Sequence, residues 1–425
     1  MSNATSPPVI GLCRRSLLLA PLALAGAAHA LPAAQPLTLA SFPDLDRAAK
    51  AEQAAWDRAH PGTPLRIVSR NYADHHNAMS AVLATGSGQP DVMALDLRFI
   101  GKFAAGGGLE DLLQSPYDAG PLLAGLPAFS VTQGRSPKGA LVAMPTDIGP
   151  GTLLYRQDLL QRAGLQEGDL TASWPGFIAA GRELKRATGA ALLTDAAELR
   201  DILLRVGLQD GEGIYFGRQG EVLVGNERFQ RAFELGLAVR RAGLDLKAPS
   251  WTNEWGAAFR QGRVATQMMG CWLAGHLKNW LAPEQAGLWR SAPLPGGLVA
   301  SYGGSFYAIP RNAPNKAAAW AFIRQMVFDR ATQLQSLRVL DAFPALLSAQ
   351  DDAVMEEPIP YLGGQRARLL WRDIARRVPA TPVHKHDSLA TAVVRSAFED
   401  VVSQNRPIPE ALAEARDLVI RRARR

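Results

Sequence analysis

LRIVSRNYADHHNAMSAVLATGSGQPDVMALD, residues 65–96, decides the fold class. Leu65–Val68 is a short apolar run suited to a buried strand. Asp74–Ala84 carries helical spacing and is closed by Gly86-Ser87-Gly88. Asp91–Leu95 is a further β-like run. Upstream, Leu37–Ala40 is another strand, ending in Ser41-Phe42-Pro43. Residues 44–59 place Leu45, Ala48, Ala49, Ala55 and Trp56 on one helical side, and Pro61-Gly62 stops that helix. Strands alternating with helices at this spacing predict βαβ units, hence an α/β fold with a mostly parallel sheet.

The pattern restarts after residue 150. Leu153–Tyr155 is strand-like, and Gln157–Ala163 is a short helix ended by Gly164. Trp174-Pro175 opens another helix, with proline in the first turn, where its missing N–H costs nothing. Phe229–Arg241 is helical and closes on Gly243. Trp255–Gln261 is a helix ended by Gly262, before a strand over Val264–Met269. Ser305–Ile309 reads as a strand, and Lys316–Phe328 and Pro407–Arg424 as helices. Two α/β blocks, with a return near Ala292–Ser305, predict two lobes linked by several crossings. The chain contains no internal repeat and no low-complexity tract.

The 425 residues are 47% hydrophobic and 20% charged, enough for two domains with cores of their own. The first 30 residues differ from the rest. Arg14-Arg15 is a basic start, Ser16–Ala28 is apolar but too short to span a bilayer, and Ala28-His29-Ala30 is a small-x-small cleavage site. This layout predicts a signal peptide over 1–30 and a mature start at Leu31. The paired arginines favour the twin-arginine route over the general one. Cys13 precedes the apolar stretch, where a lipid anchor cannot form, so a freely soluble periplasmic protein is expected. Its removal takes Arg14, Arg15 and no acid, lowering the net charge from +7 to +5. The basic excess lies late, at Arg366, Arg368, Arg372, Arg376, Arg377 and Arg421–Arg425. It reads as the solvated side of C-terminal helices, since no nucleic-acid motif accompanies it. Cys271 is the single mature cysteine, so no intramolecular disulfide forms; it is expected to be buried.

Five pieces of the mature chain, in order, carry a resemblance. They are HPGTPLRIV (60–68), LATGSGQPDVMALD (83–96), MPTDIGPGTLLYRQDLLQRAGL (144–165), AAFRQGRVATQMMGCWLAG (257–275) and APLPGGLVASYGGSFYAIP (292–310). Together they resemble the extracellular solute-binding proteins of carbohydrate ABC importers, the group that includes maltose- and trehalose-binding proteins. The resemblance implies a two-lobed type II periplasmic-binding-protein fold, with a hinge and an interlobe ligand cleft. It implies a first lobe of 31–146 and 296–345 and a second of 147–295 and 346–425. It also implies a monomeric periplasmic subunit that captures a mono- or short oligosaccharide and serves membrane permease subunits. No cofactor, metal or nucleic acid is expected.

A sugar presents a C–H face and a belt of hydroxyls, so its site needs flat apolar rings together with carboxylates and arginines. Trp272 occupies the family's Gly-x-Trp position and is the leading stacking candidate. Trp251 and Trp255 are read as either cleft or core, and Trp280 and Trp289 as core. Asp96 ends a strand, where ligands sit in open α/β sheets; ligand contact is favoured over helix capping. Asp147 lies in the first crossing and faces the cleft by analogy, with turn formation as the alternative. For Asp44 the cap reading is preferred to cleft exposure. Tyr302-Gly303-Gly304-Ser305, at the return crossing, lets backbone approach a ligand or supplies hinge freedom. Arg377 resembles a family position near the cleft, with plain surface exposure as the alternative. The pairs His75-His76 and His384, His386 lack carboxylate or cysteine companions at ligand spacing and are read as surface residues rather than metal ligands.

In one respect the chain departs from the maltose type: HKHDSLATAV (384–393) has no aromatic residue, which favours a short sugar. A rival ligand for the same fold is a polyamine or polyol phosphate. Asp96 with Asp147 opposes a phosphate, and the absence of a Tyr-Tyr pair opposes ferric ion. The remote rival is an exported glycoside hydrolase using Asp96 and Asp147. No nucleophile elbow, zinc motif or phosphate loop supports an enzyme.

Overall fold

Side-chain alternation along three parallel strands explains the first half of the molecule. A computed structural model describes residues 35–424; the expected signal peptide over 1–30 lies outside them. Strands β1 (Leu37–Ser41), β2 (Leu65–Ser69) and β3 (Val92–Asp96) lie in the order β2-β1-β3, with Leu37 opposite Leu65 and Leu39 opposite Val92. Helices α1 (Leu45–Ala59) and α2 (Tyr72–Thr85) make the two crossovers, and α3 (Leu97–Ala105) follows β3. Leu37, Leu39, Val92 and Ala94 face the core that holds Trp56 of α1. Ala40, Met93 and Leu95 face the opposite way, onto Met79 of α2 and Ile100 and Phe103 of α3. Successive residues of a strand point to opposite faces, so a strand covered on both sides is apolar throughout.

The second half keeps the two-sided burial but not the strand direction: its pairings are antiparallel, so the sheet is mostly antiparallel and not mostly parallel as the alternation of strands and helices predicts. β4 (Met144–Arg156) runs 13 residues. Its start pairs antiparallel with β7 (Ser301–Ala308) and β8 (Phe343–Pro344), and β7 pairs in turn with β3. Its end pairs with β5 (Thr266–Gly270) and β6 (Trp289–Ala292). Leu153 and Tyr155 point into a core of Phe177, Phe229, Phe233 and Phe398, while Leu154 points to Trp255, Phe259 and Trp289. Burying each such ring contributes roughly 1.5–3 kcal/mol before entropy is counted. The helices Trp174–Thr188, Ala196–Leu203, Glu227–Arg241, Asp387–Gln404 and Ile408–Ala423 surround this second core.

The two halves meet where β4 and β7 lose register, between Ile148 and Pro150. Proline withholds an N–H and is found in sheets at irregularities of this kind. A Cβ on Gly149 would lie 2.1 Å from the Tyr302 carbonyl oxygen, so the two strands cross at backbone contact. β4 starts nine residues before the Leu153–Tyr155 run expected from sequence, because Pro145, Gly149, Pro150 and Gly151 look like turn chemistry. Asp147 is correspondingly in extended strand, not in a turn.

The surface reading of His75 and His76 is also corrected. Both are buried under the end of β3. His75 Nε2 bonds the Ala94 carbonyl at 2.7 Å. His76 Nδ1 donates to the Tyr72 carbonyl at 2.7 Å, its Nε2 accepts the Asp96 N–H at 3.1 Å, and its ring stacks on Phe99. Burial lowers both imidazoles, His75 to about 4, so they serve as neutral linkers. His384 and His386 are partly buried; His384 lies on Phe216, ring centroids 3.8 Å apart.

Candidate functional site

Between the two halves lies a cavity of about 990 Å³. One pole is aromatic. Trp272 follows β5 and donates its Nε1–H to the Tyr302 carbonyl at 2.8 Å. The indole fits because Gly270 and Gly303 have no side chain: a Cβ there would lie 2.1 and 2.9 Å from its Nε1. Trp251 stacks beside it, centroids 6.0 Å and planes 22° apart. Trp251 is 48% exposed and holds φ at +74°, an unfavourable backbone for a bulky residue and a sign of a fixed presentation. A π-helical turn, Leu277–Leu281, brings Trp280 over His276.

His276 sits edge-on to all three tryptophans. Its Nδ1 accepts the Trp280 Nε1–H at 3.0 Å and lies 3.5 Å from Asp44 Oδ2. Burial lowers its pKa, and an accepting Nδ1 belongs to the neutral ring, so the Asp44 contact is not an ion pair.

The other pole is charged. The helix Ala196–Leu203 begins at Asp195, whose Oδ1 accepts the Ala197 N–H at 2.7 Å. It carries Glu198 and Asp201 on the cavity side, with Arg205 just beyond its end. Asp201 accepts two bonds from Arg200, which hold its carboxyl below the usual range against the cost of burial. Glu198 accepts from the Thr194 hydroxyl, and burial raises its carboxyl far above the usual range. The Arg205 guanidinium lies 4.4 Å from the Tyr302 ring centroid. From the first half, Arg98 lies over Tyr72 at 5.4 Å.

Between the poles stand two aspartates. Asp96 Oδ1 accepts the Arg98 N–H at 2.8 Å, capping α3, and the residue also lines the cavity. Asp147 Oδ1 accepts the Ser305 N–H at 3.0 Å, and burial pushes its carboxyl up to about 6.

Of the residues singled out from sequence, Trp272, Trp251, Asp44, Asp96, Asp147, Tyr302, Gly303, Gly304 and Ser305 line this cavity. Two do not. Trp255 is core at 1% exposure, packed on Phe259. Arg377 points to the surface and pairs with Asp373 at 2.8 Å. Two expectations change sense. Asp44 makes no side-chain cap bond and instead opens to the cavity. Trp280, expected in the core, is 47% exposed on the cavity wall, whereas Trp289 is core. Gly303 makes room for Trp272.

Tyr72, Arg98, Glu198, Asp201, Arg205 and His276 were not anticipated. A signal existed for three of them: Glu198, Asp201 and Arg205 are spaced i, i+3, i+7, so a helix over this stretch puts the first two on one side, with Arg205 just past its end. Among the described residues, no group of three or more His, Cys, Asp or Glu is placed to hold a metal ion. No described helix is long and apolar enough to cross a membrane.

Two lobes joined by crossing strands, with a polar and aromatic chamber between them, define a cleft-type binding protein. The chain belongs to the bacterial extracellular solute-binding proteins, whose family model matches residues 47–359. It is 27% identical over 378 residues to the lactose-binding protein of Rhizobium radiobacter, covering 84% of this chain and 85% of that one. It is 22% identical over 377 residues to the arabinooligosaccharide-binding protein of Bacillus subtilis, covering 84% of each. A crystal structure of an extracellular solute-binding protein of family 1 superposes with a TM-score of 0.77 at 25% identity, over 91% of this chain and 99% of that one. The sugar-binding protein MalE of Xanthomonas citri shares the fold, with a TM-score of 0.73 at 21% identity, over 91% of this chain and 96% of that one.

Proposed function

We propose that the protein is the substrate-binding subunit of an ABC importer and captures a mono- or short oligosaccharide by lobe closure in the periplasm. The observation that carries this reading is the wall of Trp251, Trp272 and Trp280 facing Asp96, Asp147, Arg98 and Arg205 across one chamber. Flat rings suit the C–H face of a sugar, and charged planar groups suit its hydroxyls. Asp44, Asp96 and Arg98 come from the first half and the tryptophans from the second, so a ligand touching both favours the closed arrangement. The lobes are proposed to comprise 31–146 with 296–345, and 147–295 with 346–425. A monomer with an open face toward permease subunits fits this role. The ligands its relatives are named for, lactose and arabinooligosaccharides, point to the same chemistry.

The test is calorimetric titration with lactose, arabinobiose, maltose, spermidine and glycerol 3-phosphate, with chromatography of each sugar after incubation. Binding of a sugar without its conversion is expected. Binding of spermidine or the phosphate alone overturns the sugar reading, and cleavage of a bound disaccharide overturns the importer reading.

A further inference from the structure

Residues 378–386 join the helix Ala367–Arg377, which packs under β4 and β6, to the helix Asp387–Gln404 of the second core. This strap is tied to the second half by its backbone. The Gly211 N–H donates to the Ala380 carbonyl at 2.8 Å, and the Ala380 N–H to Asp210 Oδ1 at 2.7 Å. The His384 ring lies on Phe216. The strap and the first turn of the helix after it also reach the first half. Val383 packs against the cluster of Met79, Ile100 and Phe103, and the Ser388 hydroxyl donates to the Arg98 carbonyl at 2.9 Å.

Gly101 marks the point of contact. It lies inside α3, where glycine is less favourable than alanine because it loses more backbone freedom. Its backbone is not in the left-handed region, so conformation does not call for glycine. Space does: a Cβ would lie 2.4 Å from the His384 carbonyl oxygen and 2.8 Å from its carbon. A helix of one half has lost intrinsic stability so that backbone from the other half can touch it.

We propose that residues 378–388 form an interlobe clasp that seats on Gly101 only when the cleft is closed, so that part of the free energy of closure comes from the protein itself and not from the ligand. Thr381, Pro382 and Val383 line the cavity, so seating the clasp completes the chamber wall. A ligand then shifts an equilibrium that the clasp has already biased. The inference rests on the lobe-closure part of the proposed function and not on the identity of the sugar.

Gly101→Ala separates the possibilities. In a helix interior the substitution is intrinsically favourable, whereas its Cβ blocks the seat. The ligand-free variant is expected to keep or gain thermal stability and to show a larger radius of gyration than the native protein. Its affinity for whichever of lactose, arabinobiose and maltose binds the native protein should fall at least about tenfold, mainly through faster dissociation. Ser388→Ala, which removes one bond of the clasp, should lower affinity about two- to fivefold. A fall of more than about 5 °C in the Tm of ligand-free Gly101→Ala would show that the contact is permanent, and overturns the clasp. An unchanged radius together with unchanged affinity overturns it as well. Radius and Tm are read without sugar, so a native protein that binds none of the three overturns the sugar reading while the clasp is decided by those two measurements.

Discussion

The two poles of the cavity are built on different principles. The aromatic pole is held by main chain and ring packing: Trp272 is locked to the Tyr302 carbonyl in a slot left by two glycines, and Trp251 lies against Trp255, Trp272 and His276. The charged pole is held by side chains that already have partners: Asp201 by Arg200, Arg205 by the Tyr302 ring, Glu198 by Thr194. The first pole offers surface that needs no reorganisation on binding. The second must exchange existing bonds for new ones, so its net contribution to affinity is smaller, while its penalty against a misfitting ligand is large. On the proposed function, affinity and selectivity fall to opposite ends of one chamber.

The largest break in this comparison is expected from Trp272→Ala. It removes the stacking face, and sugar affinity should fall about 10- to 100-fold, or roughly 1.4–2.8 kcal/mol. Stability without ligand should fall by only about 1 kcal/mol, the worth of the lost bond to Tyr302, since the indole borders an open chamber. Trp255→Ala is the control: a fully buried ring, its loss should cost about 3–5 kcal/mol of stability by denaturant titration. If the two variants exchange these behaviours, the assignment of wall and core is wrong.

A pH titration sharpens the middle of the site. Burial raises the Asp147 carboxyl to about 6 in the folded protein. A group raised on folding binds more protons when folded, so it lowers stability as pH climbs from about 4 to 6 and has no further effect above. A sugar hydroxyl needs the ionised form as acceptor, so affinity has the opposite trend and should be roughly tenfold weaker at pH 5 than at pH 7.5. Asp147→Asn should flatten both profiles. The smallest effect is expected at the charged pole: Arg205→Ala should lower affinity for the preferred sugar by only about threefold, because the bonds gained replace bonds already made. Its discrimination between epimers should fall by more than its affinity does.

Much of the fold was legible because strands covered on both faces are uniformly apolar and helices between them end in glycine or proline. β4 was legible only in its second part, since a strand that crosses between lobes needs Pro150 and Gly149, residues that signal a turn when read locally. On the cavity wall, Asp96 was legible because it ends a strand, and Trp272 because it follows one at a Gly-x-Trp position. Trp280 was not, because a π-helical turn shifts the phase of the side chains and nothing in LKNWL announces it. His75 and His76 were misread for a related reason: a polar residue pair on a helix looks solvent-facing until the strand whose carbonyl and N–H groups it satisfies is in place. Trp255 and Trp251, four residues apart, have opposite fates: the first lies inside the helix Asn253–Arg260 and is buried, the second precedes that helix and is exposed.

β4 and β7 run antiparallel through the junction of the two halves, and on the proposed lobe bounds the chain passes between them a third time, just after β8. The chain therefore has redundant covalent routes from one lobe to the other. A protease that nicks the loop before β7 would not release a fragment, because the ladder on either side of the cut stays zipped and the remaining passages still tether both cores. On the proposed function, an exported protein of this build would keep its two cores together after a cut at the hinge.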